Sequence, residues 1–168
     1  MQVLNFLCLA LLCLVLEKVA VAEECIKFED HKDEILNCCK YQPPYPKDDV
    51  KECVQEAQGK SGGDKHEFFA CLLECYLPKI GIINGDSIDE DKISEHLQSL
   101  DENARDILLA AYKECDESTT GTTRAQCSSY ALDLETCVLQ KLDQQCPDEF
   151  YNPSEICDKL KSGVEICH

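Results

Sequence analysis

Apolar positions recur along this chain at intervals of three and four, the period of a helix that buries one face. Over residues 65–80, Phe68, Leu72, Tyr76 and Ile80 stand four apart, with Phe69, Leu73 and Leu77 beside them. Over residues 104–115 the stripe runs through Ala104, Ile107, Leu108, Ala111, Tyr112 and Cys115, and Tyr130, Leu134, Val138 and Leu142 repeat it. Shorter helical patterns cover residues 26–39, 47–57, 90–100 and 154–161. Capping signatures, in which a side-chain oxygen and a later Glu or Gln satisfy free backbone donors, stand at Asp64 with Glu67, Ser87 with Glu90, Thr123 with Gln126 and Asn152 with Glu155. Pro153 suits the first position of the last helix. Strand alternation never persists, and Ile80-Gly81-Ile82-Ile83 reads as a helix end entering a turn at Asn84-Gly85. The pattern predicts an all-α domain of six or seven short helices.

Residues 1–22 fall outside that pattern. An apolar run over residues 3–16, broken only by Asn5, leads into Ala20-Val21-Ala22, a small-x-small cleavage pattern. The run is shorter than the ~20 apolar residues that span a bilayer, and no second run of spanning length follows. The expectation is therefore a signal peptide over 1–22 and one domain over 23–168, exported and extracellular, with no membrane insertion after cleavage. The net charge of -17 stays with the mature part, because Glu17 and Lys18 cancel. So acidic a surface argues against nucleic acid and against anionic membranes, and favours solubility.

Two of the fourteen cysteines, Cys8 and Cys13, leave with the signal. The remaining twelve, an even and dense set in a small exported domain, predict a disulfide framework of six bridges. Cys71 and Cys75 lie one helical turn apart and point from one face, so each can reach a different partner. Cys38 and Cys39 should also serve different partners, since a bridge between neighbours would be strained.

The spacing Cys71-x3-Cys75, then 39 residues to Cys115, then 9 and 8 residues across Cys127, Cys137 and Cys146, closes on a Cys146-Pro147 step. A further 9 residues lead from Pro147 to Cys157, and Lys79-Ile80-Gly81-Ile82-Ile83-Asn84-Gly85-Asp86 with Ile88-Asp89 follows the third helix. In these features the chain resembles insect odorant-binding proteins, and within them the Plus-C subgroup with additional cysteines, over essentially the whole mature length. It departs in one place: the 11 residues between Cys115 and Cys127 are fewer than that subgroup carries. The resemblance implies a compact, disulfide-braced helical shell around an apolar cavity that takes a small hydrophobic ligand. It also implies three interlocking bridges: Cys39 (or Cys38) to Cys75, Cys71 to Cys137, and Cys115 to Cys146. Cys25, Cys38, Cys53, Cys127, Cys157 and Cys167 then stay unassigned.

The candidate lining comes from the apolar stripes: Phe68, Leu72, Tyr76, Ile80, Ile83, Leu97, Ile107, Leu108, Tyr112, Tyr130, Leu134 and Val138. Core and cavity stripes look alike in sequence, so each of these is equally a candidate for ordinary core. The hydroxyls of Tyr76, Tyr112 and Tyr130 could meet a ligand oxygen or bond to another helix instead. His31, His66 and His96 sit among Lys, Asp and Glu, which suits surface positions better than a titrating release switch.

No cofactor or metal is called for. Asp86, Asp89, Glu90 and Asp91 lack the alternation and glycine of a calcium loop, and oxidised cysteines cannot hold zinc. Nor is an enzyme indicated. Lys40-Tyr41 follows Cys38-Cys39 where a secreted phospholipase would carry its His-Asp, and no Gly-x-Ser-x-Gly elbow occurs. A plant-type lipid-transfer protein would need a Cys-x-Cys element, also absent. Against a carrier of odorants or other semiochemicals stand a general hydrophobic-ligand carrier outside olfaction and a surface-acting defence or inhibitor protein. Homodimerisation and a chemosensory receptor as partner stay open, as do ligand and tissue.

Overall fold

A computed structural model describes residues 25–41, 45–119, 126–127 and 129–167. The expected signal peptide, the Thr123 cap and the terminal His168 lie outside the described residues. Among them are seven helices and two short strands: β1 (Ile26–Lys27), α1 (Phe28–Ile35), α2 (Val50–Ser61), α3 (Lys65–Lys79), α4 (Glu90–Leu97), α5 (Glu102–Ser118), α6 (Tyr130–Gln145), α7 (Glu155–Lys161) and β2 (Ile166–Cys167).

Helix boundaries follow local chemistry. Asp64, Asp89 and Asp101 accept from the backbone N–H groups of Glu67, Lys92 and Ala104 and start α3, α4 and α5. The caps of α4 and α7 differ from those the sequence suggests: Asp89 replaces Ser87, and Ser154, which accepts from the Cys157 N–H, replaces Asn152. In each case the residue next to the first helical position has the extended backbone a cap requires. The α2 helix ends on Gly62 at φ 58°, a left-handed position open to glycine, which turns the chain back so that α3 packs along α2. Pro78 lies in the last turn of α3, and Gly81 leads into Ile82 and Ile83, with Ile83 bridging to Ile88 across the predicted turn.

The main core joins the end of α3, α4, α5 and α6 around Leu77, Leu97, Leu108, Tyr112, Tyr130 and Leu134, all essentially inaccessible. A second cluster joins α1, α7 and the strands through Phe28, Ile35, Leu160, Val164 and Ile166. The strands were not expected. They are two residues each, too short for alternation to register, and pair in parallel, Ile26 with Ile166 and Lys27 with Cys167.

Six bridges staple these parts: Cys25–Cys167, Cys38–Cys157, Cys39–Cys146, Cys53–Cys75, Cys71–Cys127 and Cys115–Cys137. The three pairings implied by the resemblance are thereby corrected. Cys75 meets Cys53 instead of Cys39, because α2 and α3 form a tight hairpin. Cys115 meets Cys137 because α5 and α6 pack side by side, leaving Cys146, just beyond α6, to Cys39, where the chain bridges to Tyr151. Cys71 faces the segment entering α6, where the buried Glu67 accepts from the N–H groups of Gln126 (2.8 Å) and Cys127 (3.0 Å) and so presents Cys127. The two expectations drawn from helix geometry hold: Cys71 and Cys75 take different partners, as do Cys38 and Cys39.

Peptide mapping of the unreduced protein tests the frame. It should return a Cys115–Cys137 fragment and a Cys53–Cys75 fragment. A Cys71–Cys137 link would contradict the packing of α5 on α6.

Candidate functional site

An apolar cavity of about 270 Å³ lies where α1, α3 and α6 converge. Phe28 and Leu36 come from α1 and its end; Phe69, Leu72 and Leu73 from α3; Leu108 from α5; Leu132, Thr136, Val138, Leu139 and Leu142 from α6. Leu36 is the one exposed large hydrophobic side chain among the described residues and marks the mouth. Two larger depressions, of about 360 and 520 Å³, are surface grooves edged by charged side chains such as Glu29, Lys32 and Lys65 in one and Lys27, Asp30 and Lys159 in the other. Their walls suit water, whereas the smaller cavity offers what an apolar molecule gains from.

One wall of this cavity is polar. Glu135, on α6, lines it, and its carboxylate accepts a hydrogen bond from the Tyr112 hydroxyl at 2.7 Å. The Tyr112 oxygen in turn takes a bond from Tyr45, whose ring also lines the cavity. Tyr45 belongs to a short strap leading into α2 that is held from two more sides. Tyr76 donates to the Pro46 carbonyl at 2.8 Å, and the His96 ring stands edge-on to Tyr45 at 5.7 Å while bonding the Ile80 carbonyl.

Desolvation raises the Glu135 carboxyl to about 7, against the smaller lowering effect of the Tyr112 hydrogen bond. The residue retains some accessible surface, but it faces the cavity and so recovers little hydration. Burial likewise pushes both Tyr45 and Tyr112 up. Asp143, further along α6 and 2 % exposed, is raised by desolvation to about 7 as well, and its Oδ2 has no partner among the described residues.

Within residues 17–141 the sequence matches the PBP/GOBP family model, most of the chain. This chain belongs to the PBP/GOBP family. That is the insect odorant-binding protein type, a binding family of small hydrophobic ligand carriers without enzymatic activity, whose members are secreted and extracellular. The PBP/GOBP match stops within α6, so Cys146, α7 and β2 lie beyond it. Searches of curated proteins and of solved structures return no match.

Of the expected lining residues, Leu72, Leu108 and Val138 reach this cavity. Phe68 lines the groove beside α1, and Ile83 and Tyr130 a surface cleft near Gly85. Tyr76, Ile80, Leu97, Tyr112 and Leu134 are main core, with Ile107 half-buried against it. The three tyrosine hydroxyls are used internally: Tyr76 on Pro46, Tyr112 on Glu135, Tyr130 on Asp116. His96 is no simple surface residue, since it supports the strap. Glu67, Cys71 and Cys127 cluster within 4.8 Å, but the two sulfurs are bonded to each other and leave no thiolate for a metal.

The stripe through Tyr130, Leu134, Val138 and Leu142 reaches the cavity only through its last two residues. The rest of the wall that α6 supplies, Leu132, Glu135, Thr136 and Leu139, was missed, because Glu135 and Thr136 interrupt it. The spacing of Leu132, Leu139 and Leu142 was the available signal, as were Phe69 and Leu73 beside the α3 stripe.

The raised carboxyls set a pH dependence. Folded Glu135 and Asp143 hold protons that the unfolded chain releases from ordinary values of 4.5 and 3.8, so stability is lost as pH rises toward about 7. Each group should contribute up to about 3–4 kcal/mol over that window. Denaturant unfolding at a series of pH values should show stability falling from mildly acidic to neutral pH, with a flatter slope in Glu135→Gln and Asp143→Asn. A slope unchanged in both variants would contradict the assignment.

Proposed function

We propose that this protein is a secreted Plus-C odorant-binding protein that carries odorants or other semiochemicals, bound in the cavity between α1, α3 and α6. The observation that carries the reading is an apolar cavity of about 270 Å³ inside a fold of the PBP/GOBP family. Its volume lies near the lower limit for ligand pockets, which favours small volatile-sized molecules over long lipids. Apolar contact supplies most of the affinity there, and a few polar groups fix orientation. Support for the subgroup comes from the six bridges, the Cys146-Pro147 step and the C-terminal segment beyond the family match. Support for secretion comes from the oxidised cysteines, the family and the signal pattern over residues 1–22.

Filling the cavity tests the proposal. The chain has no tryptophan, so Leu72→Trp both occupies the cavity and introduces a unique fluorophore. The oxidised protein should bind N-phenyl-naphthylamine with enhanced dye emission, and small aliphatic alcohols should displace it. In Leu72→Trp the dye affinity should fall about tenfold or more, a loss of ~1.4 kcal/mol, while the helical circular dichroism is retained. Failure of the parent protein to bind the dye or any aliphatic ligand would refute the carrier reading.

A further inference from the structure

The cavity's polar wall carries an inference about ligand chemistry that rests on the carrier reading. Glu135 is the one ionisable carboxyl among residues that otherwise offer hydrocarbon, the Tyr45 ring and Thr136. The Tyr112 hydroxyl donates to its Oε1 at 2.7 Å, so one carboxylate oxygen is already engaged by the protein. The other titratable groups that sense Glu135 are Tyr45, Tyr76 and Tyr112, from the strap, α3 and α5, and all are neutral as phenols. Among the described residues, no Lys, Arg or His lines the cavity to compensate the carboxylate.

We propose that the cavity selects hydrocarbon-tailed amines, with the ligand ammonium donating to Glu135 Oε2 and the tail lying among Phe69, Leu72, Leu73 and Leu139. Three considerations support this. An ionised carboxyl in apolar surroundings is costly unless a cation with hydrogen-bond donors meets it. An ammonium supplies both, and the oxygens of Tyr45 and Thr136, on the same lining, offer further acceptors. A carboxylic acid of the same length would bring a second negative charge beside Glu135, or force one of the two to stay protonated. Finally, the net charge of -17 draws cations toward the protein and repels anions.

Octylamine, 1-octanol and octanoate, of matched length, separate the possibilities by isothermal titration at mildly alkaline pH. Octylamine should bind at least about tenfold more tightly than octanoate. In Glu135→Gln, whose amide oxygen can still accept from Tyr112, that ratio should shrink to within about threefold. The unsubstituted protein gives a second readout. At neutral pH, where the carboxyl is about half protonated, octylamine binding should release up to about half a proton per site, measured in buffers of different ionisation enthalpy. Binding of 1-octanol should release none. An octylamine preference that is absent, or that persists in the variant, overturns the inference. If the variant does not fold, amine binding without proton release overturns it. Binding of 1-octanol without amine preference would leave the carrier reading standing and remove only this inference, whereas no binding of any of the three would remove both.

Discussion

The structure depends on a covalent constraint centred on α3. Two bridges leave this helix one turn apart, Cys71 to Cys127 and Cys75 to Cys53, and so fix it against the segment entering α6 on one side and against α2 on the other. A third, Cys115–Cys137, locks α5 to α6. With α3 bonded through Cys71 and Cys75, and α6 bonded through Cys137, the space between them does not have to close for the helices to stay in place. Leaving a cavity of this size unpacked forfeits several kcal/mol of core contact, of the same order as a native bridge in a small secreted domain supplies, ~2–5 kcal/mol. The remaining bridges, Cys38–Cys157, Cys39–Cys146 and Cys25–Cys167, tie α1, α7 and both ends of the described chain into the same frame.

Buried acid is the second theme, and it differs from the acid that gives the surface its charge. Exposed carboxylates such as Glu52, Glu95 and Glu155 are stabilised as anions by lysine neighbours, which hold them below their ordinary range. Such pairs contribute little to stability. Glu67 is different: it is buried but accepts two backbone N–H bonds, and its role is to place Cys127 for its bridge. Glu135 and Asp143 have lost hydration without gaining a cation, and burial shifts both strongly upward. Of the two, only Glu135 lines the cavity.

Much of the fold could be read from the sequence, because helical periodicity and caps are local. All seven helices were anticipated, and most of the α5 and α6 stripes are buried where expected, whereas Phe68, Phe69, Leu72 and Leu73 of α3 are only half-buried. The resemblance to insect odorant-binding proteins anticipated the family. What could not be read was relational. Bridge pairing depends on which helices adjoin, and the α2–α3 hairpin redirected Cys75 to Cys53. The strands at Ile26 and Ile166 pair two segments far apart in sequence, beside the Cys25–Cys167 bridge. The cavity wall was half hidden because α6 buries two sides, and the second contains Glu135, a residue type that periodicity assigns to solvent. Leu72, Leu108 and Val138 were identifiable as apolar, but only packing shows that they border the cavity while Leu134 and Leu97 do not.

The central claim is that α1, α3 and α6 enclose space for a ligand instead of a packed core. A crystal structure of the natively purified protein, with whatever molecule it retains, tests this most directly. The account expects elongated density between Phe69, Leu73 and Leu139, with its polar end within hydrogen-bonding distance of Glu135, and the six bridges paired as above. Side chains of α3 and α6 packed together across a closed cavity, with no space beside Glu135, would contradict it.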